Sequence, residues 1–212
     1  MGQGRPDRSP LAARRRSRAH VISLLVLLSA AAIAIHLVTR PTESIGLAVD
    51  PSLAPAEIQY LKDGLHAAYE VPVGMLTESI KPPADAQTPL DGREVLATMD
   101  RWPRVPGQRQ LAISGAHGDT VERTFVFGLG RRAGRSAVVF TPRLRHRANP
   151  TLFRQRLLRV SIHELGHVYG LRHCEDQDCV MVYSATLLAL DASPDHFCPR
   201  CARLLHGWRQ AT

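Results

Sequence analysis

No cysteine occurs before residue 174, lysine is almost absent, and one stretch apart the chain has no long hydrophobic run. Each lack narrows the reading. With all four cysteines confined to residues 174–201, thiol chemistry belongs to one short segment and not to a framework laid along the chain. Of the 27 basic residues 25 are arginine, which reads as a bias towards arginine codons and not as a recognition surface. Acid is scarce only at the start: residues 1–38 carry six arginines against one acidic residue, leaving 21 basic and 18 acidic residues after them. The net charge of +8 is therefore largely a property of the tail, and it argues only weakly for nucleic-acid binding by the folded part. No internal repeat occurs, which removes solenoid and array folds. What remains, 212 residues at 44% hydrophobic composition, suffices for one globular domain with a proper core.

The exceptional run is Val21–Val38, 18 residues interrupted only by Ser23, Ser29 and His36. That is near the length needed to span a hydrocarbon core of about 30 Å. Residues 1–20 form a basic tail, with Arg14, Arg15, Arg16 and Arg18 just ahead of the run. Basic flanks favour that end staying in the cytoplasm, so 21–38 reads as a single-pass signal anchor with the domain at 41–212 outside. Ala32-Ile33-Ala34 offers a competing reading, a small-x-small cleavage site that would release a secreted domain.

Chemistry is concentrated at His163-Glu164-Leu165-Gly166-His167-Val168-Tyr169-Gly170-Leu171-Arg172-His173-Cys174. His163 and His167 stand four apart and share a helix face, so both imidazoles can meet one metal ion. Glu164 lies about 100° round the turn, angled off the metal but within reach of a water on it. Gly170 can take a positive φ, end the helix and reverse the chain so that His173 supplies a third ligand. Three histidines leave one position open, the arrangement of a catalytic zinc. H-E-x-x-H alone fixes three positions and occurs by accident on surface helices, whereas the added glycine and histidine make the extended metzincin pattern. Asn149-Pro150 opens the helix with a cap residue and a proline at its first position.

Cys174, Cys179, Cys198 and Cys201 form a C-x4-C and a C-x2-C pair, spacings that suit a tetrahedral thiolate zinc. Disulfides are the alternative, with three possible connectivities, and export to an oxidising compartment would favour them. His196 and His206 flank the second pair as spare ligands. Elsewhere the pattern predicts strands at Ile45–Val49 and Val71–Met75, the latter at an edge because of Pro72. Amphipathic spacing predicts helices over Ser52–Tyr69 and Arg93–Asp100, with a loop over 80–92 between the second strand and the second helix. Three further strands are expected at Leu111–Ser114, Arg123–Phe127 and Ser136–Thr141, before the motif helix. The order implies an α/β domain with a mixed, twisted sheet under that helix, ending in hairpin-like runs.

These residues resemble the archaemetzincins, a metalloprotease family whose signature runs H-E-x-x-H-x-x-G-x-x-H-C-x4-C-x-M and closes on C-x-x-C. The resemblance covers roughly residues 45–206, including Phe125-Val126-Phe127-Gly128 and Arg143-Leu144. It departs in a Met181-to-Cys198 loop one residue shorter than the family's. The family is associated with soluble intracellular proteins, so the apolar run departs from it and leaves a cytoplasmic location open. The resemblance implies a metzincin-like zincin domain with two zinc ions. His163, His167 and His173 would hold the catalytic zinc, with Glu164 as general base and Met181 beneath the metal. Cys174, Cys179, Cys198 and Cys201 would hold a structural zinc. A peptide or protein substrate follows, and Ser136–Thr141, the strand nearest the motif in sequence, is expected to receive it by strand addition. The competing reading is a membrane-tethered zinc-binding module with weak or no hydrolytic activity. Nucleic-acid binding through the cysteines is a weaker third, since the last stretch is only mildly basic and Trp208 is its one aromatic.

Overall fold

A computed structural model of the chain describes residues 42–85 and 88–211. The basic tail and the apolar run 21–38 lie outside the described residues; among those described, no helix is long and apolar enough to cross a membrane.

Five strands form the main sheet: β1 (Ser44–Val49), β2 (Val73–Met75), β4 (Gln108–Ser114), β6 (Gly128–Gly130) and β7 (Ser136–Phe140). Their order is β2-β1-β4-β7-β6, with every pair parallel except β6 against β7. Parallel strands need crossovers, and these supply the helices: α1 (Pro55–Tyr69) between β1 and β2, and α2 (Gly92–Met99) on the way to β4. A two-residue β3 (Leu90–Asp91) pairs with β5 (Gly118–Asp119) apart from the main sheet. After β7 come α3 (Thr141–Arg145), the long α4 (Pro150–Val168), α5 (Leu187–Ala192) and α6 (Pro199–Ala211).

Strict alternation along the central strands sorts the core into two layers. Ile45, Leu47, Leu111, Ile113, Ala137 and Val139 face α1 and α4, while Ala48, Ala112, Val138 and Phe140 face Val95, Leu96 and Met99 of α2. Both faces are covered, as parallel sheets require. An aromatic ladder binds the first layer together. Tyr69 donates to the Ile162 carbonyl at 2.6 Å and stacks on Tyr169, which meets Trp208 of α6 edge-on.

The structure corrects the expected strands. Arg123–Phe127 is not a strand; the β6 strand begins at Gly128. Two glycines in three residues carry almost no strand propensity. They are there because a Cβ at Gly130 would lie 2.2 Å from the Glu164 carbonyl oxygen, and one at Gly128 2.7 Å from Glu164 Cγ. The hairpin-like ending reduces to the single antiparallel pair β6–β7. Ser136–Phe140 lies between β4 and β6 with all five residues buried, so it has no free edge for a peptide; the edge on that side of the sheet is β6. The expected loop 80–92 ends in β3 and the first residue of α2. The first helix starts at Pro55 rather than Ser52, and β4 reaches back to Gln108.

Candidate metal centre

Asn149 caps α4 by accepting the N–H of Leu152 at 2.9 Å, and the helix runs 19 residues to Val168. Its last two turns carry His163, Glu164 and His167. Gly170 then takes φ +86° and donates to the His167 carbonyl, reversing the chain. A Cβ there would also stand 2.8 Å from Trp208 Nε1, so the position needs glycine for space as well as for angle. The reversal brings His173 back to the other two rings, with centroids 5.2 Å from His163 and 4.9 Å from His167.

The histidines are oriented by backbone carbonyls. Nδ1 of His163 lies 2.8 Å from the Val180 carbonyl and Nδ1 of His167 lies 2.9 Å from that of Leu171. A carbonyl only accepts, so both Nδ1 atoms carry the proton and both Nε2 atoms present lone pairs. Those lone pairs face each other at 3.1 Å, an arrangement that repels unless a cation lies between them. Nitrogens bound to one zinc at about 2.0–2.1 Å stand roughly 3.3–3.4 Å apart, so the spacing fits. All three histidine ligand atoms lie within 4.8 Å of one another. Burial pushes the His163 pKa down to about 3, helped by His167. His167 and His173 are also lowered, by burial first and then by neighbouring charges that include Arg132 and Arg123 respectively. All three are held in the neutral form that binds metal.

Glu164 is 8% exposed yet lines the same cleft. Burial raises its pKa to about 8, and a hydrogen bond from the Gly130 backbone only partly offsets this. Edge strand and acid are thus in contact, which is the structural reason for the glycines of β6.

Met181 packs beneath the helix: a Cβ at Gly166 would lie 2.4 Å from Met181 Sδ. Two residues before it, Cys179 joins Cys174, Cys198 and Cys201 in a second cluster with all four sulphurs within 4.8 Å. Cys174 Sγ to Cys198 Sγ is 3.9 Å, against about 3.8 Å for sulphurs sharing a tetrahedral zinc and about 2.05 Å in a disulfide. The four cysteines are free thiols, and the donor set fits a tetrahedral metal ion. The Cys201 backbone N–H at the start of α6 holds Cys198 below its ordinary value, while burial raises Cys179 and Cys201. His196 is exposed and faces Asp178 at 3.3 Å, outside both clusters.

Sequence reasoning missed Tyr183, Arg123 and Gly130. Tyr183 lies 5.1 Å from the His173 ring, and Arg123 both bonds its hydroxyl and sits over its ring. Tyr183 stands two residues past Met181, which is the one signal that could have found it. The cleft holding these groups is about 910 Å³, walled by Thr124–Gly130 on one side and Val182–Ala185 on the other.

A family model described as "Peptidase family M54" matches residues 95–207, more than half of the chain. Among curated proteins, an archaemetzincin of Methanopyrus kandleri is 47% identical over 81 residues, 38% of this chain. The chain spans about half (46%) of that relative's length. An archaemetzincin of Haloarcula marismortui is 30% identical over 150 residues, covering 66% of this chain and 87% of that protein. The crystal structure of the Methanopyrus kandleri archaemetzincin superposes with a TM-score of 0.71 at 28% identity, over 80% of this chain and 96% of that one.

Proposed function

Because this chain belongs to peptidase family M54, the archaemetzincins, we propose that it is a zinc-dependent metallopeptidase in which Glu164 is the general base. The observation that carries the reading is the pair of Nε2 lone pairs converging at 3.1 Å beside a buried carboxylate. His163, His167 and His173 would hold the catalytic zinc, and the four cysteines a structural one. Zinc in a three-histidine site polarises a peptide carbonyl and activates water for attack.

The chain's own residues divide the remaining work. Glu164 takes a proton from the attacking water and returns it to the leaving amine; a proton affinity near neutrality suits a group that must do both. The Gly130 backbone bond fixes its carboxylate against the edge strand. The free edge of β6 offers backbone groups to an extended peptide. The Tyr183 hydroxyl and the Arg123 guanidinium, joined to each other at the rim, are the donors available to a substrate carbonyl. Val180 and Leu171 lock the imidazole tautomers through their carbonyls, and Met181 supports the helix from below.

A zinc-binding module without hydrolysis would use the same histidines and gain nothing from Glu164, whose burial is costly and which makes no ligand. Zinc-loaded protein should cleave members of a peptide library, and Glu164→Gln should retain both metals while losing cleavage by several orders of magnitude. Undiminished cleavage by that variant would sink the assignment of the base. For the segment outside the described residues the proposal is a signal anchor at 21–38 that places the catalytic domain outside. Retention in membranes after an alkaline wash supports it, and full release overturns it.

A further inference from the structure

Two arginines three positions apart on α4 have different fates. Arg156 has a partner at each of its three nitrogens: Asp191 accepts from its Nε and Nη2 at 2.6 and 2.7 Å, and the carbonyls of Leu144 and His146 accept from Nη1 at 3.0 and 2.8 Å. Arg159 does not. Its Nε is buried with no hydrogen-bond partner, and one Nη reaches only the Leu190 carbonyl, at 3.5 Å. Among the described residues no carboxylate pairs with it.

Position makes the unanswered charge informative. Arg159 precedes His163 by one helical turn and so lies on the face that carries His163 and His167. It lines the same cleft, whose walls also include Val160, Val180, Leu190 and Ser193. Apolar walls lower the local dielectric, which makes a lone cation expensive and its pairing with an anion correspondingly strong. A guanidinium fork matches a carboxylate bidentately, as Arg156 and Asp191 demonstrate on the same helix.

The rest of the cleft has the same sign. Arg123, Arg132 and Arg172 also line it, whereas its acids are Glu164, which is buried, and Glu122, which is held by Arg93. Such a surface draws anionic ligands and repels cationic ones.

We propose that the part of the cleft lined by Arg159, one helical turn from His163, binds a carboxylate of the substrate and that Arg159 is the specificity-determining residue. Acidic side chains next to the scissile bond, or a free C-terminus one or two residues beyond it, are the two sources of that carboxylate. The inference rests on reading the cleft as a peptide site but does not depend on turnover.

The test uses the zinc-loaded full chain carrying Glu164→Gln, with fluorescein-labelled peptides in matched sets: Glu against Gln, and free against amidated C-terminus. Fluorescence anisotropy should show at least tenfold tighter binding of one carboxylate-bearing set, and the set that shows it identifies the source. Adding Arg159→Gln, which can still donate to Leu190, should bring the matched peptides within twofold of each other, and Arg159→Lys should restore part of the difference. Arg172→Gln at the exposed rim should weaken all acidic peptides together, with a shallower salt dependence, and leave the matched ratio intact. Equal affinities within both matched sets overturn the inference, as does a preference that survives Arg159→Gln. A preference without hydrolysis by the unmutated enzyme overturns the peptidase reading alone; hydrolysis without a preference overturns this inference alone.

Discussion

The backbone N–H of Cys174 donates to the carbonyl of Met181 at 2.9 Å, and that bond joins the two candidate metal centres through one turn. His173 precedes it in the chain, and the sulphur of Met181 lies under Gly166 on the other side. A thiol and an imidazole on adjacent residues share one backbone, so the position of either constrains the other.

The first prediction follows from that linkage. Cys198→Ser and Cys201→Ser remove sulphurs remote in sequence from the histidines, yet each should also weaken zinc at the three-histidine site. Supporting residues of this kind typically change metal affinity by about 10- to 100-fold. Chelator competition with metal analysis would read both sites. An unchanged three-histidine affinity with an empty cysteine cluster would show the centres to be independent.

Gly130 and Gly166 make a paired prediction about where a methyl group can be absorbed. At Gly166 the obstacle is the end of the Met181 side chain, at 2.4 Å from Sδ, which can swing away. At Gly130 it is the backbone carbonyl of Glu164, at 2.2 Å, which cannot. Gly130→Ala should therefore cost more, towards the upper end of the ~1–3 kcal/mol typical of overpacking, and should displace β6 from Glu164. Urea denaturation of the two variants gives the order; a larger loss for Gly166→Ala contradicts it.

How far the sequence disclosed this arrangement depends on the range over which each signal acts. The histidine motif is local, since helix spacing and one glycine bring its three rings together, and the clustered rings were legible from 12 residues. The cysteine cluster was half legible: spacing gave two pairs, but only the fold shows four sulphurs within 4.8 Å. The strand at Gly128–Gly130 was misplaced because its residues are chosen by contact with Glu164, 34 to 36 positions away, and not by strand propensity. Arg159 reads as one more polar residue on an amphipathic helix. Its unpaired state appears only when Asp191 is seen to have gone to Arg156.

That division leads to a prediction with an asymmetry. Arg156 is 5% exposed at its side chain and Asp191 29%, so the two partners differ in their access to water. Asp191→Leu strands a buried cation on two carbonyls and should cost about 3–5 kcal/mol, the usual penalty for breaking a buried pair. Arg156→Met leaves an acid that water can reach and should cost less. Combining both changes should recover part of the sum, because no uncompensated charge remains. Additive costs in the double variant would mean that the pair does not act as a unit.

The last prediction concerns pH in the metal-depleted protein, where two neighbouring groups pull in opposite directions. Burial raises Glu164 from 4.5 to about 8, so the stability tied to its protonated form is fully present below 4.5 and is lost as pH rises to 8. Burial lowers His163 from 6.5 to about 3, so the stability tied to its neutral form is present above 6.5 and is lost as pH falls towards 3. Each group contributes a slope of about 1.4 kcal/mol per pH unit within its own window. Between 4.5 and 6.5 the slopes oppose each other; above 6.5 only Glu164 acts, and stability should fall. Glu164→Gln removes that limb, so the variant should gain on the parent steadily from pH 5 to pH 8. Denaturant unfolding in the presence of a chelator at pH 5, 6.5 and 8 measures the difference, and taking it between variant and parent cancels the thiols common to both. A constant difference across the three values would mean that Glu164 is already ionised in the folded state, and that its burial is relieved by water in the cleft.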